Sequence, residues 1–206
     1  MPKVTAAHRE RVRDQILDAA IACFAERGVR ATTMAGIIAA SGLSAGAIYG
    51  YFGSKQELAV AAMRRGVAGR TADVEAAAEA STEGVLTPAG ILRALADGLD
   101  RDRVPLTLLV QLWGEATSDG EFHGVADAAF AELSSICGTH LHRWAVSTRG
   151  LTEGEADDWA SRMIPVLLGL AQGLVLQRQA RRDFELESYL GSVDELFTES
   201  VHPTHR

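Results

Sequence analysis

The sequence predicts an all-α protein in which an N-terminal helix-turn-helix precedes a larger helical body. Apolar residues recur at helical spacing along most of the 206 residues, several helix starts carry capping residues, and no segment sustains the alternation of a β-strand. The composition is 47% hydrophobic and 23% charged, which excludes disordered and fibrous classes. We expect about nine helices.

Three helices are predicted at the N-terminus, of which the second and third are short. The first ends at Gly28 and has one apolar face, made of Ile16, Leu17, Ala20, Ile21 and Phe24. Hydroxyls of Thr32 and Thr33 precede a second helix over 34–40, which breaks at Ser41-Gly42-Leu43, and a third helix follows over 44–51. Two short helices joined by a tight glycine-containing turn predict a helix-turn-helix.

Capping boxes mark two later helix starts. Ser54 with Glu57 opens a fourth helix that runs to about Ala80, and Thr152 with Glu155 opens a long helix near the C-terminus. After the fourth helix, the predicted helical blocks are roughly 88–100, 104–117, 121–147, 153–181 (the helix opened by Thr152) and 186–199. We expect a helix-turn-helix domain over 1–56 and a larger helical domain over 57–206.

The helix that begins at 153 is apolar on too many sides to have one face in water. Its apolar residues include Ile164, Val166, Leu167, Leu168, Leu170, Leu174, Val175 and Leu176. One face would pack on its own chain and the other on a second copy, which predicts a homodimer through helices within 153–199. The alternative is the central helix of a monomer.

The charge distribution suggests a polyanion-binding N-terminal segment, and the cysteine usage and lack of a signal peptide suggest a cytoplasmic protein. Residues 1–70 carry a formal charge of +5 and residues 71–206 carry −12, although chance alone could produce this asymmetry. Cys23 and Cys137 lie far apart in apolar segments, which indicates buried reduced thiols. We expect a cytoplasmic protein because the sequence shows no signal peptide and no apolar run of membrane-spanning length. No cofactor is expected.

The segment from Thr32 to Leu58 resembles the DNA-binding signature of TetR-family transcriptional regulators. The paired threonines, the glycine turn, the Tyr49-x-Tyr51-Phe52 motif and Ser54-Lys55-x-x-Leu58 all occur at the family's spacing. The resemblance covers about residues 10–60, and the rest of the chain agrees only in outline. It implies a dimeric regulator whose double-stranded operator is roughly palindromic, and whose small-molecule effector is unidentified.

The resemblance also implies roles for individual residues at DNA. Thr33 and Lys55 would bind phosphates beside helix N-termini, and Ser44, Ala45 and Gly46 would meet base edges at the start of the recognition helix. Tyr49 and Tyr51 would contact the sugar-phosphate backbone; alternatively, each is a structural aromatic.

Two positions of the recognition helix depart from the family pattern. Ala45 and Gly50 are small where longer side chains are common, so few side chains would read bases directly. A thymine methyl contact at Ala45, close backbone approach at Gly46 and Gly50, and DNA shape would then carry more of the specificity. Arg9, Arg11 and Arg13 either reach the backbone or minor groove from an N-terminal arm or form a solvated charged turn.

Candidate effector-binding residues come from the middle helices and from one polar residue in an apolar run. They are Leu109, Trp113, Phe122, His123, Phe130 and Gln172, and a place in the core is the alternative for each aromatic residue.

Catalysis is not expected, because the sequence contains no hydrolase, metalloprotease, P-loop or Rossmann motif, and His140 and His142 are spaced for different helix faces. The predicted function is a sequence-specific regulator, a repressor released from its operator by a ligand. The alternatives are a helical sensor with weakened DNA readout and an activator on the same scaffold.

Overall fold

The computed structural model describes residues 6–81, 83–101, 104–116 and 120–199. Over these residues the regular secondary structure is all helical, as the sequence predicts. The helices are α1 (Ala6–Arg27), α2 (Met34–Ser41), α3 (Ala45–Tyr49), α4 (Lys55–Ala80), α5 (Pro88–Arg101), α6 (Leu106–Ala116), α7 (Gly120–Arg149), α8 (Glu153–Ala180) and α9 (Leu186–Glu199).

The chain forms two compact units, and each unit is assembled from two chain segments. The first contains residues 1–66 and 102–129, and the second contains residues 67–101 and 130–206. α4 and α7 therefore begin in the first unit and end in the second.

The first unit has its own apolar core. The face predicted on α1 is buried, with Phe24 fully so, and it packs with Ile37 of α2, Ile48 of α3 and Leu58 of α4. α6 joins the same core through Leu108 and Leu112, and it contacts α1. This places α6 in one compact unit with the helix-turn-helix.

The second unit is built around three aromatic side chains. The rings of Trp144 and Trp159 lie 5.6 Å apart, and Phe197 meets Trp159 edge-on at 6.1 Å. α5 packs on both α8 and α9. Cys137 is buried in this core, and burial raises the pKa of its thiol to about 12. Cys23 and Cys137 are both buried free thiols, as expected.

A buried guanidinium joins α4 to α5 within the second unit. The Nη2 of Arg70 donates a 2.9 Å hydrogen bond to the carbonyl oxygen of Gly98, and its Nε lies 3.3 Å from Asp73 Oδ2. A Cβ atom at Gly98 would overlap the Asp73 carboxylate, so a larger residue there would displace the Asp73 side chain.

The two predicted capping boxes differ in detail. At α8, Thr152 and Glu155 form both reciprocal bonds of the box. At α4, Ser54 Oγ accepts from the Glu57 N–H at 3.1 Å, but the Glu57 carboxylate accepts from the N–H of Gly53 rather than Ser54. The helix start is as predicted, and the reciprocal bond is displaced by one residue.

α8 has apolar side chains on both sides. Leu167 and Leu174 are buried, whereas Val166 is 48% and Leu176 55% exposed. Among the described residues it is the one helix with the length and composition to cross a membrane, a property shared by core helices of soluble proteins. Only 33% of its most apolar window is buried within the chain.

Candidate nucleic-acid interface

α2 begins with an exposed capping threonine. Thr33 is extended, and its hydroxyl accepts a 3.1 Å hydrogen bond from the N–H of Gly36. The neighbouring Thr32 is buried and donates to the carbonyl oxygens of Cys23 and Gly28, which ties the loop before α2 to the end of α1. The N-terminus of α2 therefore presents backbone N–H donors from a fixed position.

The turn between α2 and α3 is also held to α1. Gly42 adopts a left-handed conformation with φ of 69°, which favours glycine. Ser41 is buried, its hydroxyl accepts from the Leu43 N–H, and its carbonyl oxygen accepts a 3.0 Å hydrogen bond from Gln15 Nε2. These bonds orient α3 relative to the longer helix.

α3 has one buried and one exposed face. Ser44 caps its N-terminus by accepting from the Ala47 N–H, and Ile48 is fully buried. The exposed residues are Ser44, Ala45, Gly46, Tyr49 and Gly50, and the Tyr49 side chain is 52% exposed. A Cβ atom at Gly46 would meet nothing within 4 Å, so this face is shallow and free of intramolecular contacts there.

The connection from α3 to α4 contains one buried aromatic and one half-buried aromatic. Phe52 lies in the core, and the guanidinium of Arg13 sits 5.1 Å from its ring centroid. Tyr51 is partly buried against the same core, so it differs from the exposed Tyr49. Tyr51 thus combines packing with partial exposure.

Lys55 is the first residue of α4 and is half-buried. Its Nζ donates a 3.0 Å hydrogen bond to the backbone carbonyl oxygen of Arg30, in the connection between α1 and α2. The predicted phosphate-binding residues Thr33 and Lys55 thus belong to helix N-termini that are linked through this connection.

The three N-terminal arginines lie on a helix rather than on the extended arm that the sequence suggested. Arg9, Arg11 and Arg13 are exposed but lie inside α1, which already begins at Ala6. Farther along α1, Asp14 and Asp18 each lie 2.5 Å from one nitrogen of Arg65 in α4. These supporting contacts of Thr32, Gln15 and Arg65 were not predicted, because no local pattern identifies the partner of a single polar side chain.

The candidate effector-binding residues are distributed over both units. Leu109, Trp113, Phe122 and His123 lie on α6 and α7 of the first unit, and Phe130 and Gln172 lie in the second. His123 is exposed and pairs with Asp127 at 3.5 Å, Trp113 and Gln172 are half-buried, and Phe130 packs partly against the second core. Their effector-binding role stays a prediction.

Ionisable groups of the described residues form no cluster of three or more that suits a metal ion.

Comparisons with known proteins agree with this arrangement. Residues 16–62 match the family model of bacterial regulatory proteins of the tetR family. The HTH-type transcriptional repressor Rv1474c of Mycobacterium tuberculosis is 38% identical over 182 residues, which cover 87% of this chain and 88% of that protein. A second relative, the HTH-type regulator YfiR of Bacillus subtilis, is 40% identical over 57 residues, 28% of each chain.

Solved structures show the same fold over nearly the whole chain. Salmonella enterica GusR superposes with a TM-score of 0.74 at 21% identity, covering 97% of this chain and 98% of GusR. Bacillus subtilis FadR, in complex with stearoyl-CoA, gives a TM-score of 0.70 at 19% identity over 92% of this chain and 99% of FadR. With its capped helix-turn-helix and its full-length relative, this chain belongs to the TetR family of DNA-binding transcriptional regulators.

Proposed function

We propose that this protein is a homodimeric repressor that leaves its operator when a small molecule binds to its helical body. The observation that carries the DNA-binding part is the exposed face of α3, which lies in one unit with the capped N-termini of α2 and α4. Residues 1–56 would form the DNA-binding domain and residues 57–206 the effector-binding and dimerisation domain.

The proposed contacts divide into backbone and base contacts. Thr33 with the first N–H groups of α2 would bind one phosphate, and Lys55 would bind a second, because helix N-termini offer unpaired donors and a positive dipole end. The Tyr49 and Tyr51 hydroxyls would add further backbone contacts. Such contacts fix the register of the protein on the duplex without reading its sequence.

Base recognition would come from the shallow face of α3. Ser44 has a hydroxyl able to hydrogen-bond with bases, Ala45 a methyl group that fits against a thymine methyl, and Gly46 and Gly50 allow the backbone to approach closely. With so few long side chains, the sequence-dependent shape of DNA would supply part of the specificity.

Support for the dimer comes from α8 and α9. Val166, Leu176 and, on α9, Leu196 are large apolar side chains with 48 to 60% of their surface exposed. Covering them with a second copy would remove apolar surface from water and would combine two reading heads into one molecule. Two heads suit half-sites about one helical turn, roughly 34 Å, apart.

Repression and ligand release are inferred from relatives and from thermodynamic linkage. Rv1474c and KstR2 of Mycobacterium tuberculosis are named repressors, and FadR was solved with stearoyl-CoA. A ligand would release DNA only if it binds the DNA-free arrangement of the heads more tightly than the DNA-bound one.

A titration against DNA tests the proposal. Purified protein is titrated into labelled DNA from immediately upstream of its own gene, with unrelated DNA as competitor, at two salt concentrations. Tight binding that resists competitor and weakens steeply with salt is expected. Transcription from that DNA in a reconstituted system should fall when protein is added, whereas a rise would identify an activator.

The second candidate function is a sensor that no longer reads DNA, and the small residues on α3 favour it. Equal weak binding to both DNAs, and to fragments selected from the whole genome, would support that function and contradict the proposed one.

A further inference from the structure

An open cleft of about 680 Å³ lies in the second unit between α4 and α7. Its polar lining includes Thr71, Glu75 and Glu79 of α4 and Glu132, His140 and Arg143 of α7. The volume is in the range of pockets that hold small organic molecules, roughly 300 to 1,000 Å³. None of these residues is among the effector-binding residues predicted from the sequence.

The rim of the cleft is acidic. The exposed lining residues include three carboxylates, those of Glu75, Glu79 and Glu132, and one guanidinium, that of Arg143. Glu132 accepts a 3.3 Å hydrogen bond from Thr71, but neither Glu75 nor Glu79 has a hydrogen-bond or ion-pair partner among the described residues. Like charges one helical turn apart repel each other, so a cation between them would relieve an existing cost.

The floor of the cleft contains a buried histidine. His140 is only 2% exposed, and its Nδ1 has no hydrogen-bond partner in the part of the chain that the structure describes. Burial, followed by the nearby Arg143, lowers its pKa against the weaker opposing effect of Glu75. The ring is therefore neutral at pH 7, with one nitrogen as donor and the other as acceptor. Buried polar atoms are nearly always hydrogen-bonded, so the Nδ1 atom lacks a partner that a ligand could supply.

We propose that this cleft binds a small organic cation, with Glu75 and Glu79 beside the cationic group and His140 hydrogen-bonded to a polar atom at the other end of the ligand. Ala78 and Ile136, which also line the cleft, would contact an apolar middle portion. The inference rests on the proposed ligand-responsive function and names the place and chemical class of the effector. An organic cation is preferred to a metal ion because the described carboxylates and histidines form no metal-binding cluster.

Three probes that share one ring system but differ in charge test the assignment. Tryptamine is the cation, 3-ethylindole the neutral compound and indole-3-propionate the anion, and binding of each is followed by saturation-transfer NMR. The E75Q/E79Q double variant removes two of the three rim carboxylates, and the E10Q/E26Q double variant on α1 is the matched control with the same change in net charge. Replacing Glu75 and Glu79 removes a repulsive pair, so the melting temperature should not fall.

Tryptamine is expected to bind at least about tenfold more tightly than the other two probes, and the E75Q/E79Q variant to bind it about three- to tenfold more weakly, as the loss of two exposed charge contacts implies. The control variant should bind as the wild type does. In protein labelled with ¹⁵N-histidine, tryptamine should shift the His140 imidazole resonances and leave those of His8 unchanged.

Equal binding of the three probes, or full retention of tryptamine binding by E75Q/E79Q, would overturn the proposal, and an unshifted His140 would overturn the role of its ring. The same wild-type preparation is titrated with DNA in the absence of probes. If the wild-type protein does not bind DNA in this titration, the proposed function is contradicted independently of the cleft, because the probe measurements do not depend on DNA.

Discussion

The Nζ of Lys55 donates a 3.0 Å hydrogen bond to the backbone carbonyl oxygen of Arg30. This bond joins the first residue of α4 to the connection that leads into α2. Because an ammonium group has three N–H donors, two remain for a phosphate oxygen. One side chain can therefore align two helix N-termini and contribute charge to the same surface.

Replacing Lys55 with methionine should flatten the salt dependence of operator binding. Each phosphate contact contributes about 0.9 to the slope of log affinity against log salt, so the slope should fall by about one for each half-site. Electrophoretic mobility shifts at four salt concentrations measure it. Arg182→Met, in the exposed connection before α9, removes the same charge and should leave the slope unchanged. A weaker affinity with an unaltered slope would assign Lys55 to alignment alone.

The exposed Tyr49 allows its proposed contact with the DNA backbone to be tested without disturbing the fold. Tyr49→Phe removes only a hydroxyl from a side chain that is 52% exposed, so the melting temperature should stay the same while operator affinity falls about fivefold, or about 1 kcal/mol. Tyr189→Phe is the matched control. Its hydroxyl donates to the Leu170 carbonyl oxygen at 2.7 Å, so this change should lower stability and leave DNA affinity intact. The reverse pattern would remove Tyr49 from the interface.

Local chemistry made the helices and their caps predictable. Hydroxyls at Thr33, Ser44 and Thr152 mark the starts of α2, α3 and α8, and each of them caps its helix in the structure. The membership of α6 in one unit with α1 could not be predicted, because the contact joins segments about 90 residues apart and no local pattern encodes it. The same holds for the acidic cleft, whose carboxylates look like ordinary solvated charges on two separate helices.

Gly46 tests whether the α3 backbone approaches DNA closely. Gly46→Ala places a methyl group where nothing lies within 4 Å, and alanine favours helix, so the free energy of unfolding should rise by up to about 1 kcal/mol. Operator affinity should nevertheless fall, by about 1 to 2 kcal/mol if the methyl meets a base edge. Chemical denaturation and DNA titration measure the two effects. Gly124→Ala, also in open space, should raise stability with no effect on DNA binding.

The exposed apolar face of α8 predicts how the dimer can be broken. Leu176→Glu places a charge where two copies would bury leucine, and each buried leucine contributes about 1.5 to 3 kcal/mol. Light scattering at micromolar concentration should show a monomer, with weaker operator binding because two heads no longer act together. Ala72→Glu, on the exposed side of α4, introduces the same charge and should remain dimeric. A dimeric Leu176→Glu variant would exclude this face from the interface.

The buried ring of His140 predicts how stability depends on pH. Its pKa in the folded chain lies below the ordinary value of 6.5, so the unfolded chain binds the proton more tightly. Above pH 6.5 the ring is neutral in both the folded and the unfolded chain, so it does not affect the free energy of unfolding. Below that pH the free energy of unfolding falls by at most about 1.4 kcal/mol per pH unit, until the pH reaches the pKa of His140 in the folded chain. His140→Gln should remove this part of the slope in urea denaturation between pH 7 and pH 5. His123→Gln, which removes an exposed imidazole, should retain it. If both variants kept the slope of the wild type, carboxylates rather than His140 would account for it.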